Sequence, residues 1–381
     1  MIKLLPFILL LNANLFSENK IIKLHNLPPS VSERWWSNSF FGSVHKKIAK
    51  KTFELIDGNE YPDLLYFKKN LIKGCSDEDG HPNIEHNGGD VYSIWFSSKV
   101  IYEENTNNDY LKVGKDEVSI RRIISVLNHY NKMDFETSYE NIGVIAHLTQ
   151  DQAVPVHAAN IKHMYFDQFE RFYEDDYNID LSGFNEKNIP DNLKPWEYYQ
   201  WVQDDTRKRL SQWIDPETKI PYWVASKDAP PLGQDSTYGP YGSYGGGKDH
   251  FGKAVCETDY NYQENCKMVP KSPEIRKRQI AAAVFATAKL FKSASKELPP
   301  LIKEIEKNSD NLSFKILENR CSKVSYKIYD RLNLIEESTV ELKKDSFPYY
   351  LKIKTKIKSN GYHKIEVTDC DANTSTEEIE D

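Results

Sequence analysis

The chain has no Cys-x-x-Cys pair, no apolar run of bilayer length and no excess of basic residues. The first absence excludes a zinc knuckle built on closely spaced cysteine thiolates. The second leaves no candidate for a membrane-spanning helix, which needs about 20 consecutive apolar residues. The third, a formal charge of −7, speaks against a dedicated nucleic-acid binder, because phosphate contacts call for a net basic surface. It does not exclude an enzyme with a phosphate-bearing substrate, since a bound metal ion can supply the local positive charge. Cysteine is scarce, with five in 381 residues.

What is present fits a globular protein. Hydrophobic residues make up 39% and charged residues 28% of the chain, an ordinary balance for a soluble fold. The length suffices for one large core and a second small module. Met1-Ile2-Lys3 opens a short apolar stretch, Leu4 to Leu11, followed by the more polar Asn12 to Ser17. That pattern predicts an export signal over 1–17 and a secreted, periplasmic or extracellular protein; the competing reading is a buried N-terminal strand. An oxidising compartment makes the cysteines candidates for disulfides. Cys256 with Cys266 and Cys321 with Cys370 is one arrangement, leaving Cys75 over, and other pairings stay open.

The period of the apolar residues divides the chain. From Ser43 to about Ala159 it is helical: Val44 to Ile56, Val118 to Leu127 and Asn141 to Gln150 each space apolar residues for a buried face. A further helix is predicted from Pro273 to Leu298, rich in alanine and stopped by Pro299-Pro300. Between them, 196–270 reads as an irregular insert, with the turn-rich Tyr238 to Gly247 at its centre. Tyrosines in that insert have two readings, contact with lipid or sugar and packing over the domain. After Asn308 the period becomes two, in Ser325 to Tyr329, Thr339 to Leu342, Tyr349 to Ile357 and His363 to Val367. The fold class expected is therefore mainly α, a helical domain to about 305 followed by a small antiparallel β module over 310–370. The acidic tail, 371–381, reads as disordered.

Histidine carries the chemistry. Three of ten fall between 147 and 163, each near a carboxylate. His147 and Asp151 stand one turn apart on the apolar helix and share a face, and His163 and Asp167 repeat the spacing beyond His157. A single such pair is ordinarily a surface ion pair. Two pairs flanking a further histidine, starting on an apolar helix, point instead to metal, because buried imidazoles and carboxylates need partners. An imidazole and a carboxylate at this spacing reach one zinc ion, and the two oxygens of Asp151 could bridge two. Upstream, His45, Asp77, Asp79, His81 and His86 are further candidates.

The stretch His147-Leu148-Thr149-Gln150-Asp151-Gln152-Ala153-Val154-Pro155-Val156-His157-Ala158-Ala159-Asn160 resembles the His-x-x-x-Asp-x-x-x-Pro-x-His-Ala-x-Asn signature of the bacterial zinc-dependent phospholipases C. His163 to Asp167 is similar to that family's next element, with aspartate in place of glutamate and a shorter connection. The resemblance covers 35 to about 170 and, loosely, the helix near Ile280. It implies an all-helical domain with up to three zinc ions in a cleft, and a phospholipid or membrane surface as partner of a monomeric enzyme. It implies as ligands Trp35, His45, Asp79, His86, His147, Asp151, His157, His163 and Asp167. Asp151 would bridge two ions, His157, His163 and Asp167 would hold another, and Asp79 would act as base or orient the attacking water. Asp77 and His81 rival Asp79 and His86, whose spacing is shorter than in the family. Trp35 would serve through its α-amino group after cleavage behind Arg34, making 18–34 a propeptide, and Trp36 is an equal candidate for the chain start. The toxin branch of that family carries a membrane-binding β-sandwich that uses calcium. The β module here is similarly placed but shorter, with no clear calcium loop.

Two other functions compete. A zinc-dependent single-strand nuclease of the same fold would act on nucleic acid, and the His163-x-x-x-Asp167 element follows that pattern. Against it stand Ala158-Ala159-Asn160, the Trp35-to-His45 spacing and the β module. A non-catalytic secreted protein would keep the helical shell and bind a partner through the β module.

Overall fold

In the computed structural model the described residues are 41–77, 123, 125–155, 158, 179–214, 223–225, 242–244, 272–343, 347–357 and 361–380. Six helices are named here: α1 Phe41–Thr52, α2 Pro62–Tyr66, α3 Lys68–Asp77, α4 Phe135–Asp151, α5 Glu197–Arg209 and α6 Ser272–Glu297. Residues 125–131 are also helical. The helices share one apolar core. It takes Ile48 and Ala49 from α1, Leu71 from α3, Ile142, Ile145 and Ala146 from α4, Val202 from α5 and Ala281 to Ala286, Leu290 and Phe291 from α6. Helix α6 is buried at every position from Ala281 to Phe291, as expected of a central helix, and its run of buried alanines lets the others approach closely. Thr52 Oγ1 ties α1 to it by donating to the Val284 carbonyl at 3.2 Å.

Helix α4 is the most buried element, with Tyr139 and every residue from Asn141 to Asp151 buried. Its start is fixed by Asp134, whose carboxylate accepts from the Thr137 amide. Its end at Asp151 falls four residues ahead of Pro155, consistent with the steric demand that proline places on the turn before it. Helix α3 crosses α4 with backbones touching: a Cβ on Gly74 would stand 2.9 Å from the Gly143 Cα. Only glycine at both positions permits that approach.

Two of the expected boundaries move. The chain from 196 does not begin an irregular insert: α5 occupies Glu197–Arg209. Its buried stripe is Tyr198, Tyr199, Val202, Gln203 and Thr206, a helical face that is only partly aliphatic and so lacks a plain apolar period. Of the remainder of that segment only Ile214 and the paired strands β1 Trp223–Ala225 and β2 Gly242–Tyr244 are described beyond Trp213. The tail from Asp371 is likewise not disordered. It forms β9 Thr374–Ile379, paired antiparallel with β8 His363–Thr368. The turn before it is held by Asp369, whose Oδ1 accepts from the amides of Asp371 and Asn373 at 2.8 Å each.

The β module starts earlier than expected, at Leu301. Beyond β8 and β9 it comprises β3 Leu301–Lys307, β4 Asn311–Glu318, β5 Lys323–Asp330, β6 Asn333–Glu341 and β7 Tyr349–Lys356. These form two antiparallel sheets, ordered β3-β4-β7 and β6-β5-β8-β9. One core lies between them, with Phe314, Ile316 and Ile353 from one sheet meeting Tyr326, Ile328, Ile365 and Val367 from the other. The Cys321–Cys370 disulfide closes one edge, Cys75 is free and buried, and Cys256 and Cys266 lie outside the described residues. A helical domain followed by antiparallel sheets is thus the fold class expected. No described helix is long and apolar enough to cross a membrane.

The module rests on the helices through buried polar contacts. Asn319 Nδ2 donates to the Tyr139 hydroxyl at 3.0 Å, and that hydroxyl donates to Asp63 Oδ2 at 2.7 Å. Phe347 stacks on Tyr66 with ring centroids 4.5 Å apart. Helix α4 therefore meets the β module near its start and carries the histidine-aspartate pair at its end.

Candidate metal centre

His147 and Asp151 lie one turn apart on α4, and the crossing of α1 brings His45 beside them. All three are buried, at 0%, 5% and 8% exposure for His147, Asp151 and His45. His45 Nε2 lies 3.2 Å from Asp151 Oδ1, and His147 Nε2 lies 3.3 Å from Asp151 Oδ2. The imidazole centroids are 4.1 Å apart. Each carboxylate oxygen thus faces a different ring.

The other ring nitrogens are committed. His147 Nδ1 donates to the Cys75 carbonyl at 3.0 Å, at the close crossing of α3 and α4. His45 Nδ1 is 2.8 Å from Gln150 Oε1 and donates to it. Proton-bearing Nδ1 atoms leave Nε2 lone pairs directed at a carboxylate, so acceptors converge on acceptors. Such an arrangement requires a cation between them, either a proton on each ring or a metal ion. Two ligands bound at about 2.0 Å to a tetrahedral zinc ion stand roughly 3.3 Å apart. The observed separations match that edge, and imidazole nitrogen with carboxylate oxygen is a zinc donor set. The residues fit the metal.

With a proton on each ring, burial works against the Asp151 charge, yet the fields of and hydrogen bonds from His147 and His45 outweigh it and hold the carboxyl well below its usual range. Cys75 contributes its carbonyl and not its sulfur. Its thiol donates to the Gly143 carbonyl at 3.2 Å, and burial pushes it up to about 12, so it is no thiolate ligand.

The chain following α4 is pinned to its neighbours. The Gln152 carbonyl accepts from Thr206 Oγ1 at 2.8 Å, the Ala153 carbonyl from Gln279 Nε2 at 2.6 Å and the Ala158 carbonyl from Arg207 Nε at 2.6 Å. Helices α5 and α6 thereby hold the backbone of Gln152, Ala153 and Ala158. Of the expected ligands, His45, His147 and Asp151 come together here. Trp35, Asp79, His86, His157, His163 and Asp167 lie outside the described residues, as do His81 and the side chain of Asp77.

Sequence reasoning misses the residues that hold the imidazoles: Gln150, the Cys75 carbonyl and Thr287. The one available signal is Gln150 itself, an amide beside His147 and Asp151 at the end of a largely apolar helix.

No protein-family model and no curated protein matches the chain. Among solved structures, it is similar to the alpha toxin of Clostridium absonum at 14% identity and a TM-score of 0.36, over 91% of this chain and 94% of that one. It is also similar to the alpha-toxin of an avian strain of Clostridium perfringens at 11% identity and a TM-score of 0.36, over 91% and 97%. At these values the likeness decides nothing about the site, which stands on the chain's own residues.

Proposed function

We propose that the chain is a secreted zinc-dependent phosphodiester hydrolase, a phospholipase C acting on phospholipid head groups. The observation that carries this reading is the convergence of two Nε2 lone pairs on the two oxygens of Asp151 in a buried site. The sequence from His147 to Asn160 supplies the substrate class by its resemblance to the zinc-dependent phospholipases C.

In this reading His147 and His45 would hold zinc with Asp151, whose two oxygens could serve two ions. His157, His163 and Asp167 would hold a third, the α-amino group of Trp35 would complete the set with His45, and His86 would stand with Asp79. When bound, zinc polarises phosphoryl oxygens and lowers the pKa of a coordinated water toward 7. The chain's own part is to hold Nδ1 protons away from the centre, so that both Nε2 atoms face inward. Burial keeps bulk water off the Asp151 carboxylate, which strengthens every charge interaction there. Asp79 takes the proton of the attacking water or orients it.

A single-strand nuclease is the second reading, favoured by the aspartate at 167 in the His163-x-x-x-Asp167 element. Assay of a phosphatidylcholine emulsion beside single-stranded DNA, with and without chelator, separates the two. Chelator-sensitive release of the phosphorylated head group is the expected result, and turnover of DNA alone would sink the phospholipase reading. A non-catalytic binding protein would turn over neither.

A further inference from the structure

We infer that Gln150 is a positioning residue: its side-chain amide, oriented by Thr287 from α6, fixes His45 as the Nδ1–H tautomer and presents Nε2 to the metal. The inference rests on the zinc reading for its purpose, but its geometry stands on the metal-free chain.

Three contacts determine the amide. Gln150 Nε2 donates to Thr287 Oγ1 at 3.2 Å and lies 3.8 Å from Cys75 Sγ. The Cys75 thiol hydrogen is already given to the Gly143 carbonyl, so the sulfur faces Gln150 as an acceptor. The nitrogen end of the amide therefore points at two acceptors, and the oxygen end points at His45 Nδ1, 2.8 Å away. An amide oxygen can only accept, so the 2.8 Å contact needs the His45 proton on Nδ1, and the Nε2 lone pair then faces Asp151 Oδ1 at 3.2 Å, where the metal would sit. Gln150 and Thr287 are both buried, at 2% and 0% exposure, so no solvent competes for these contacts.

The chain of contacts has a consequence for affinity. His147 is held by a backbone carbonyl, which no side-chain substitution removes directly. His45 depends on a side chain next to the bridging carboxylate. A metal-bound imidazole that loses the acceptor on its other nitrogen typically loses 10- to 100-fold in metal affinity. Helix α6, which supplies no ligand among the described residues, thereby acts on the site through Thr287.

The test has two readouts on the full chain. Nitrogen-15 shifts of His45 in the metal-free protein, at a pH where the ring is neutral, should show the proton on Nδ1; a proton on Nε2 overturns the inference. Zinc affinity is then measured by competition with a chromogenic chelator. Gln150→Met, which keeps the shape and removes the acceptor, should bind one zinc ion about 10- to 100-fold more weakly. Gln150→Glu, which keeps the acceptor, should restore affinity to within a few-fold of the parent. If Gln150→Met fails to fold by circular dichroism, Thr287→Val takes its place, and it should mix the two His45 tautomers. Unchanged tautomer and unchanged affinity in the folded variant overturn the inference while leaving the zinc site standing. A parent chain that binds no zinc but shows the Nδ1 proton overturns the hydrolase reading and leaves the positioning of His45 intact.

Discussion

Gly143 lies so close to Gly74 that a Cβ on Gly143 would stand 2.9 Å from the Gly74 Cα. Both are backbone neighbours in crossing helices, so neither can yield as a flexible side chain would. This contact sets the depth at which α3 meets α4, and with it the reach of the Cys75 carbonyl to His147 Nδ1 at 3.0 Å. Gly143→Ala should therefore destabilise the fold by about 1–3 kcal/mol through overpacking and weaken zinc binding as the helices part. Thermal unfolding with chelator titration checks both. Wild-type stability in Gly143→Ala would mean that the crossing has slack.

Glu318 gives a prediction in pH. Burial lifts its carboxyl to about 7, with the charges of Asp369 and Asp63 adding to the rise and the amides of Arg320 and Cys321 opposing it. In the folded chain it stays protonated where the unfolded chain, titrating near 4.5, is ionised. Its favourable contribution is full below 4.5, falls as pH rises through that window and is lost above 7. The shift corresponds to about 3 kcal/mol as an order of magnitude. Glu318→Gln should flatten the fall in unfolding free energy between pH 4.5 and 7. A slope that survives the substitution assigns the pH dependence elsewhere.

Cys75 should resist thiol reagents in the folded state. It is 0% exposed and its thiol is pushed up to about 12 by burial. Peptide mapping after labelling should find it modified only in denaturant, and labelling of the native chain would contradict the buried geometry.

The disulfide between Cys321 and Cys370 closes a loop with a sequence separation of 49. Loop-closure entropy for that length amounts to about 4 kcal/mol. Replacing both cysteines by serine should lower the stability of the β module by up to that amount and leave the His45, His147 and Asp151 contacts in place. Urea unfolding and zinc affinity of the double variant measure the two effects separately.

Much of this architecture is legible from spacing. The helices α1, α4 and α6 carry aliphatic residues at helical intervals, and β5, β7 and β8 alternate in steps of two. Helix α5 escapes because its buried stripe is tyrosine, glutamine and threonine, which do not stand out from turn-rich sequence nearby. Strand β9 escapes because Thr374 to Ile379 is acidic and partly exposed, and pairing with β8 rather than burial holds it. In the site, His147 and Asp151 declare themselves by lying one turn apart on an apolar helix. The second layer does not, since Gln150 and Thr287 are 137 positions apart and meet only through the packing of α4 on α6.

The central claim is that His45, His147 and Asp151 hold metal, with Asp151 between two ions. Elemental analysis of the purified full chain, beside Asp151→Asn and His147→Ala, tests it most directly. The expected result is more than one zinc ion per chain in the parent, with loss of at least one ion in each variant. Sub-stoichiometric zinc in the parent, or full zinc retained by Asp151→Asn, would contradict it.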